Sequence, residues 1–147
     1  MDDADIQLRN VTYRRFVELG RAPTADEVAS GVGISTDEVR DGWRRLHDAH
    51  ALVLDGATGD LRMANPFSAV PTPFRVSAAG RDWFANCGWD AFGIGAALHV
   101  DSVIHTECAD CGSPLEIRVR DGRPDDENLV FHVLVPAIEW WQDIGFT

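Results

Sequence analysis

Leu52-Val53-Leu54-Asp55-Gly56, closed by Leu61-Arg62-Met63, is where this chain stops spelling helices and begins spelling strands. Two short apolar runs around an Asp-Gly pair read as a β-hairpin. Upstream, Ile6, Leu8, Val11, Tyr13, Phe16, Val17 and Leu19 recur mostly at helical spacing, and Gly20 ends the run. Thr24, with Glu27 three residues on, marks a capped start for a second helix that carries Val28 and Ala29 and stops near Gly31 to Gly33. Ser35-Thr36-Asp37-Glu38 opens a third, which sets Val39, Trp43 and Leu46 on one face and runs to about His50. Three helices followed by a hairpin make a winged helix-turn-helix pattern, so residues 1–63 are expected to form one winged-helix-like lobe.

Beyond the hairpin, residues 64–79 hold Pro66, Pro71 and Pro73, which suit an extended linker. Phe67, Val70, Phe74 and Val76 anchor it, and Phe74-Arg75-Val76 is expected to pair as an edge strand. Residues 80–147 form the second lobe. A helix is expected from about Gly80 to Ala97, then a strand over Val100 to His105 with a partner over Ser113 to Val119. A polar turn over Asp121 to Asp126, an apolar strand over Leu129 to Val135 and a helix opened by Pro136 complete it. The fold class is α+β: the three-helix lobe plus a small mixed or antiparallel sheet with helices.

The chain has 147 residues, 45% of them hydrophobic, enough for one ordinary domain or two small lobes sharing a core. No apolar run reaches the roughly 18 to 20 residues that a membrane span needs. The acidic start Met1-Asp2-Asp3-Ala4-Asp5 differs from a secretory signal, so the expectation is a soluble cytoplasmic protein without a membrane partner. A net charge of −11 repels nucleic acid. Arg40, Arg44 and Arg45 on the third helix are offset by Asp37, Glu38, Asp41 and Asp48. The winged-helix pattern is therefore read as structural, with a winged-helix regulator as the alternative. Exposed tryptophans near the C-terminus would build a homodimer contact. A natural protein that continues past Thr147 is also an expectation.

All three cysteines fall between residues 87 and 111. An odd count argues against a disulfide framework, and Cys-x-x-Cys in a cytoplasmic chain points to metal binding or redox work. In Asn86-Cys87-Gly88-Trp89-Asp90 a thiol and a carboxylate stand three residues apart. On a helix they share one face, roughly 5–6 Å apart between Cβ atoms. A thiolate binds soft metal ions, and a carboxylic acid delivers a proton. The second thiol pair lies in His105-Thr106-Glu107-Cys108-Ala109-Asp110-Cys111-Gly112. Plainer readings stand beside these. Cys87 is a buried small hydrophobe, Asp90 is an exposed carboxylate or a partner of Arg81, and the tryptophans are core or the walls of a dry pocket. Cys87, Cys108, Cys111 and His105 would together make a Cys₃His zinc site. His99 and His132 are further auxiliary candidates. A thioredoxin-type role is discounted, because the pair lies in a hairpin turn rather than at a helix start.

Trp83-Phe84-Ala85-Asn86-Cys87-Gly88-Trp89-Asp90-Ala91-Phe92-Gly93-Ile94 resembles the active-site helix of alkylmercury lyases. The resemblance continues in Glu107-Cys108-Ala109-Asp110-Cys111-Gly112-Ser113-Pro114-Leu115, in Phe131-His132-Val133-Leu134-Val135-Pro136-Ala137 and in Trp140. It implies protonolysis of a carbon–mercury bond, with two thiolates on the metal and an aspartate supplying the proton. It also implies an N-terminal winged-helix-like lobe that does not read DNA. Carried over, Cys87 matches the first catalytic cysteine, Asp90 the catalytic aspartate and Cys108 a structural cysteine. The family's second catalytic cysteine has no counterpart, since that region reads Asn128-Leu129-Val130. Cys111 is an extra thiol, expected to swing toward Cys87 and stand in. The site residues expected are thus Cys87, Asp90 and Cys111 for catalysis, and Cys87, Asp90, Cys108, Cys111 and His105 for metal. Mercury enters as substrate and product, with no organic cofactor. The partner is an organometal or metal ion, and copper and zinc are the other metals such thiolates accept. A non-enzymatic copper- or mercury-binding or sensing protein on the same scaffold is the alternative.

Overall fold

Asp2 begins the first helix by accepting the backbone N–H of Asp5 on its side chain at 2.9 Å, which satisfies one of the donors a helix start leaves free. In the computed structural model, which describes residues 1–126, 128–133 and 135–145, helix α1 runs Asp3–Leu19 and closes on Gly20. Helices α2 (Ala25–Val32) and α3 (Thr36–Asp48) start on the capping boxes of Thr24 with Glu27 and Ser35 with Glu38. The three helices bury Leu8, Phe16, Val28, Val39, Trp43 and Leu46 between them. The Trp43 indole N–H donates to the Thr12 hydroxyl at 2.9 Å, and that hydroxyl donates to the Leu8 carbonyl at 2.9 Å. Arg45 reaches across to the buried carboxylate of Asp5 at 2.8 Å.

The expected hairpin follows as β1 (Val53–Leu54) and β2 (Leu61–Ala64). From there the chain builds one antiparallel sheet with β3 (Phe67–Ser68), β4 (Arg75–Ala78), β5 (Arg81–Ala85), β6 (Ser102–Glu107), β7 (Pro114–Arg120) and β8 (Arg123–Pro124). Its order is β1-β2-β3-β5-β4-β6-β7-β8. Helices plus this sheet make the fold α+β, as expected. Trp83 and Ala85 of β5, Val76 and Ala78 of β4, Ile104 of β6, and Ile117 and Val119 of β7 are all buried. The intervening residues are exposed or half-buried, the alternation of a sheet covered on one face.

Four expectations need correction. Residues 64–79 are not a wrapping linker, because they supply β3 and β4. Pro66 sits in the turn between β2 and β3, and Pro71 and Pro73 sit between β3 and β4, where a missing N–H breaks no ladder bond. Nor is 74–76 an edge: β4 pairs with β5 on one side and β6 on the other. The helix expected from Gly80 begins only at Gly88, as α4 (Gly88–Leu98), and its first part is strand β5. Ala79 and Gly80, both at positive φ, turn the chain in two residues and pair Ala78 with Arg81. Finally, the strand expected over Leu129 to Val135 does not form among the described residues, of which Leu134 is not one. Phe131 instead packs on Gly88, so close that a Cβ there would lie 2.7 Å from its ring. That contact draws the segment across the start of α4 rather than along a sheet edge.

After Pro136 a 3₁₀ helix spans Ala137–Gln142. Trp141 stacks on His50 at 3.9 Å between ring centroids, and the Trp140 indole N–H donates to the Val135 carbonyl at 2.9 Å. These two rings, expected to be exposed, are half-buried within the chain. Trp89, expected in the core, is 65% exposed. Among the described residues no helix is long and apolar enough to cross a membrane.

Candidate functional site

Cys87 is the N-cap of α4, extended at φ −152°, and Asp90 is the third residue of that helix. The three-residue spacing therefore brings thiol and carboxylate together at a helix start rather than along its middle. The two side chains interact directly. Burial pushes the Cys87 thiol above its ordinary pKa, and the Asp90 carboxylate adds to the rise. The backbone N–H groups of Asp90 and Trp89 act the other way, as a helix N-terminus does. Burial also raises the Asp90 carboxyl, against hydrogen bonds from Asn86 and Cys87. Asn86 donates to Asp90 and to the Asn65 side chain, each at 3.0 Å. Arg81, considered as a partner for Asp90, lies at the other end of β5. There it lines a separate open hollow of about 620 Å³ with Asp101 and Arg118.

Cys87 opens onto a cavity of about 450 Å³. Its floor is the covered face of β6 and β7, from Ile104, Thr106, Leu115 and Ile117. Phe131, Val133 and Trp140 close it from the C-terminal segment. Cys108, at the end of β6, lines the same cavity and is half-buried. The walls are mostly apolar, the usual character of a small-molecule site. The Thr106 hydroxyl, on this wall, is buried without a hydrogen-bond partner among the described residues.

The other two expected ligands are not gathered here. Cys111 is exposed and does not line the cavity, and its Sγ lies 3.2 Å from the Ser113 hydroxyl. Hydrogen bonds from Ser113, then from Cys108, lower its pKa. His105 falls between Ile104 and Thr106 on β6, so its ring projects from the opposite face of the sheet. There it sits 3.5 Å from Ser77 Oγ and 3.8 Å from a Glu116 carboxylate oxygen. The Cys₃His zinc arrangement is thereby overturned, and no group of three or more metal-ligating side chains occurs among the described residues. On α3, Arg44 and Arg45 are engaged by Asp41 and Asp5.

Sequence reasoning missed Asn86 and Thr106. Asn86 becomes Asp90's donor only because the chain is extended just before the helix. Thr106 is marked only by its register, two residues from Ile104 and facing the same way.

A family model described as alkylmercury lyase matches residues 67–147. Among solved structures, the chain is similar to the crystal structure of the mercury-bound form of MerB2, at 27% sequence identity and a TM-score of 0.65. The likeness covers 86% of this chain and 60% of that one, so the chain spans about three-fifths of that relative's length. No curated protein matches it.

Proposed function

The chain belongs to the alkylmercury lyase family, and on that premise we propose that it cleaves a carbon–mercury bond by protonolysis, with Cys87 and Cys108 as the metal-binding thiols and Asp90 as the proton carrier. One observation supports this reading: Cys87 and Cys108 line a single apolar cavity, and Asp90 stands three residues from Cys87 in the first turn of the helix that Cys87 caps. Mercury is soft and takes thiolates in preference to water or carboxylate. The apolar walls suit the organic group on the metal.

The proton inventory follows from the pair. Cys87 passes its thiol proton to the Asp90 carboxylate as the sulfur binds mercury. Cys108 adds a second sulfur and raises the electron density on the metal. The metal–carbon bond then breaks with its electron pair on carbon, and Asp90 delivers the proton there. Of the two thiol protons, one ends on the hydrocarbon and the other leaves with the ligand that mercury carried in. Mercury(II) remains between two sulfurs. Reduced thiols are a condition of this chemistry, which fits a cytoplasmic setting.

The test is hydrocarbon release from an aryl- or alkylmercury compound under excess small thiol. Cys87→Ser and Cys108→Ser are expected to abolish it. Asp90→Ala should lower it by about 10²- to 10⁴-fold, the usual contribution of a positioned acid. Full turnover in Cys87→Ser would end the reading. Tight mercury retention that depends on Cys87, without hydrocarbon release, would favour a binding protein on the same scaffold.

A further inference from the structure

We propose that Cys108 and Cys111 form a second, two-coordinate mercury(II) site, which takes the ion from Cys87 and carries it from the cavity to the protein surface. The inference rests on the lyase reading for the origin of the ion, though not for the site itself. Cys108 faces the cavity that Cys87 opens onto, whereas Cys111, three residues on, is exposed. Both belong to the one turn that joins β6 to β7. A single half-buried thiol thus shares its cavity with Cys87 and its turn with a surface thiol.

The turn that holds the pair is braced. The Cys108 N–H donates to the Ser113 carbonyl, and the Gly112 N–H donates to the Cys108 carbonyl, each at 2.8 Å. Gly112 takes a φ of +71°, which lets the chain close this loop. Ser113 also steadies the Cys111 sulfur at 3.2 Å. No third ligating side chain joins the two sulfurs among the described residues. That absence selects the ligand class, because zinc requires four donors whereas a soft ion such as mercury(II) is content with two thiolates.

The transfer is ligand exchange without redox change. The Cys111 thiolate attacks mercury held between Cys87 and Cys108 and forms a mercury–sulfur bond. The mercury–Cys87 bond then breaks with its electron pair on sulfur. Cys87 takes up a proton from solvent, and the cavity pair is restored when an outside thiol removes the ion from Cys108 and Cys111.

Mercuric chloride, at one molar equivalent, tests the site without passing through bond cleavage. Thiolate-to-mercury absorption in the ultraviolet reports the bound ion. Cys87→Ser is expected to hold one mercury(II), and Cys87→Ser combined with Cys111→Ser to lose it. In the mercury-loaded wild type, handover to an excess of small dithiol should be faster than in Cys111→Ser by about tenfold or more, since exchange rates follow access and Cys111 is exposed. Single-turnover hydrocarbon release should be the same in both. A Cys87→Ser protein that binds no mercury, or equal handover rates, would overturn the proposal. An absence of hydrocarbon release with both mercury results intact would instead remove the lyase reading and leave the site standing.

Discussion

At Asp90, burial and hydrogen bonding pull in opposite directions, and burial prevails. A carboxyl whose folded pKa lies above its unfolded one loses stability as pH rises through the folded value. Ionised Asp90 therefore weakens the fold at neutral pH. Asp90→Asn is expected to melt at a higher temperature than wild type at about pH 7, with the gap closing below about pH 4, where both states are protonated. Thermal melts across that range check it, and a gap that widens in acid would sink it. Turnover has its own dependence under the proposed mechanism, in which the Cys87–Asp90 pair would work with one proton between its two members. A second proton arrests it in acid, and loss of the last arrests it in alkali. The acid limb should lie above the ordinary carboxylate range, since Asp90 is raised. Asn86→Ala removes a hydrogen bond that favours the carboxylate, so the acid limb should move higher still. An unmoved limb would reduce Asn86 to a purely structural residue. Cys87 and Asp90 were legible in the sequence because a spacing of three brings them together both within a helix and at its start. The place of Cys111, exposed and off the cavity wall, was not legible for the converse reason: nearness in sequence says nothing about which side of a hairpin turn meets the cavity.

The elements themselves are held by a few particular contacts. Trp43 of α3 is fully buried, with its indole N–H on Thr12 of α1. Thr12→Val keeps the shape and deletes the acceptor, which strands that N–H at a cost of about 1–3 kcal/mol. Urea denaturation should register the loss in the midpoint while the slope stays unchanged. At α4, Gly88→Ala would set a methyl group 2.7 Å from the Phe131 ring. Displacing the ring should cost about 1–3 kcal/mol, as overpacking does. If the cavity takes the substrate as proposed, it should also raise KM more than it lowers kcat, because Phe131 closes the cavity. The helix starts were readable because a capping box is local: Thr24 with Glu27, and Ser35 with Glu38, carry their partners within four residues. Strand β5 was not. Its turn, Ala79-Gly80, lacks the Asn-Gly or Asp-Gly signature of a two-residue hairpin, and the small residues before it read equally well as helix. Only the pairing of Trp83 with Val76 and of Phe84 with Arg75 decides the matter, and those partners lie across the turn.

On the scale of the molecule, sheet and helices share one core. Phe16 of α1 stacks on Phe67 at 5.2 Å between centroids, Phe67 meets Trp83 at 5.9 Å, and the Trp83 indole N–H donates to the Phe16 carbonyl at 3.3 Å. β2, the last strand of the expected N-terminal lobe, pairs with β3, which in turn pairs with β5. The hairpin at 52–63 revealed the fold class, yet it hid this continuity, because a hairpin's local signal does not say what its outer edge will pair with. A division at residue 63 would cut both the ladder and the aromatic cluster. Unfolding should consequently be one cooperative event, with tryptophan fluorescence and far-ultraviolet circular dichroism tracing a single transition in urea. Phe16→Ala removes the ring at the junction and should cost about 3–5 kcal/mol. If the helices and the sheet are one unit, that substitution lowers the midpoint seen by both probes equally. If they are two, the helical signal falls early while the sheet around Trp83 holds, and the two curves separate.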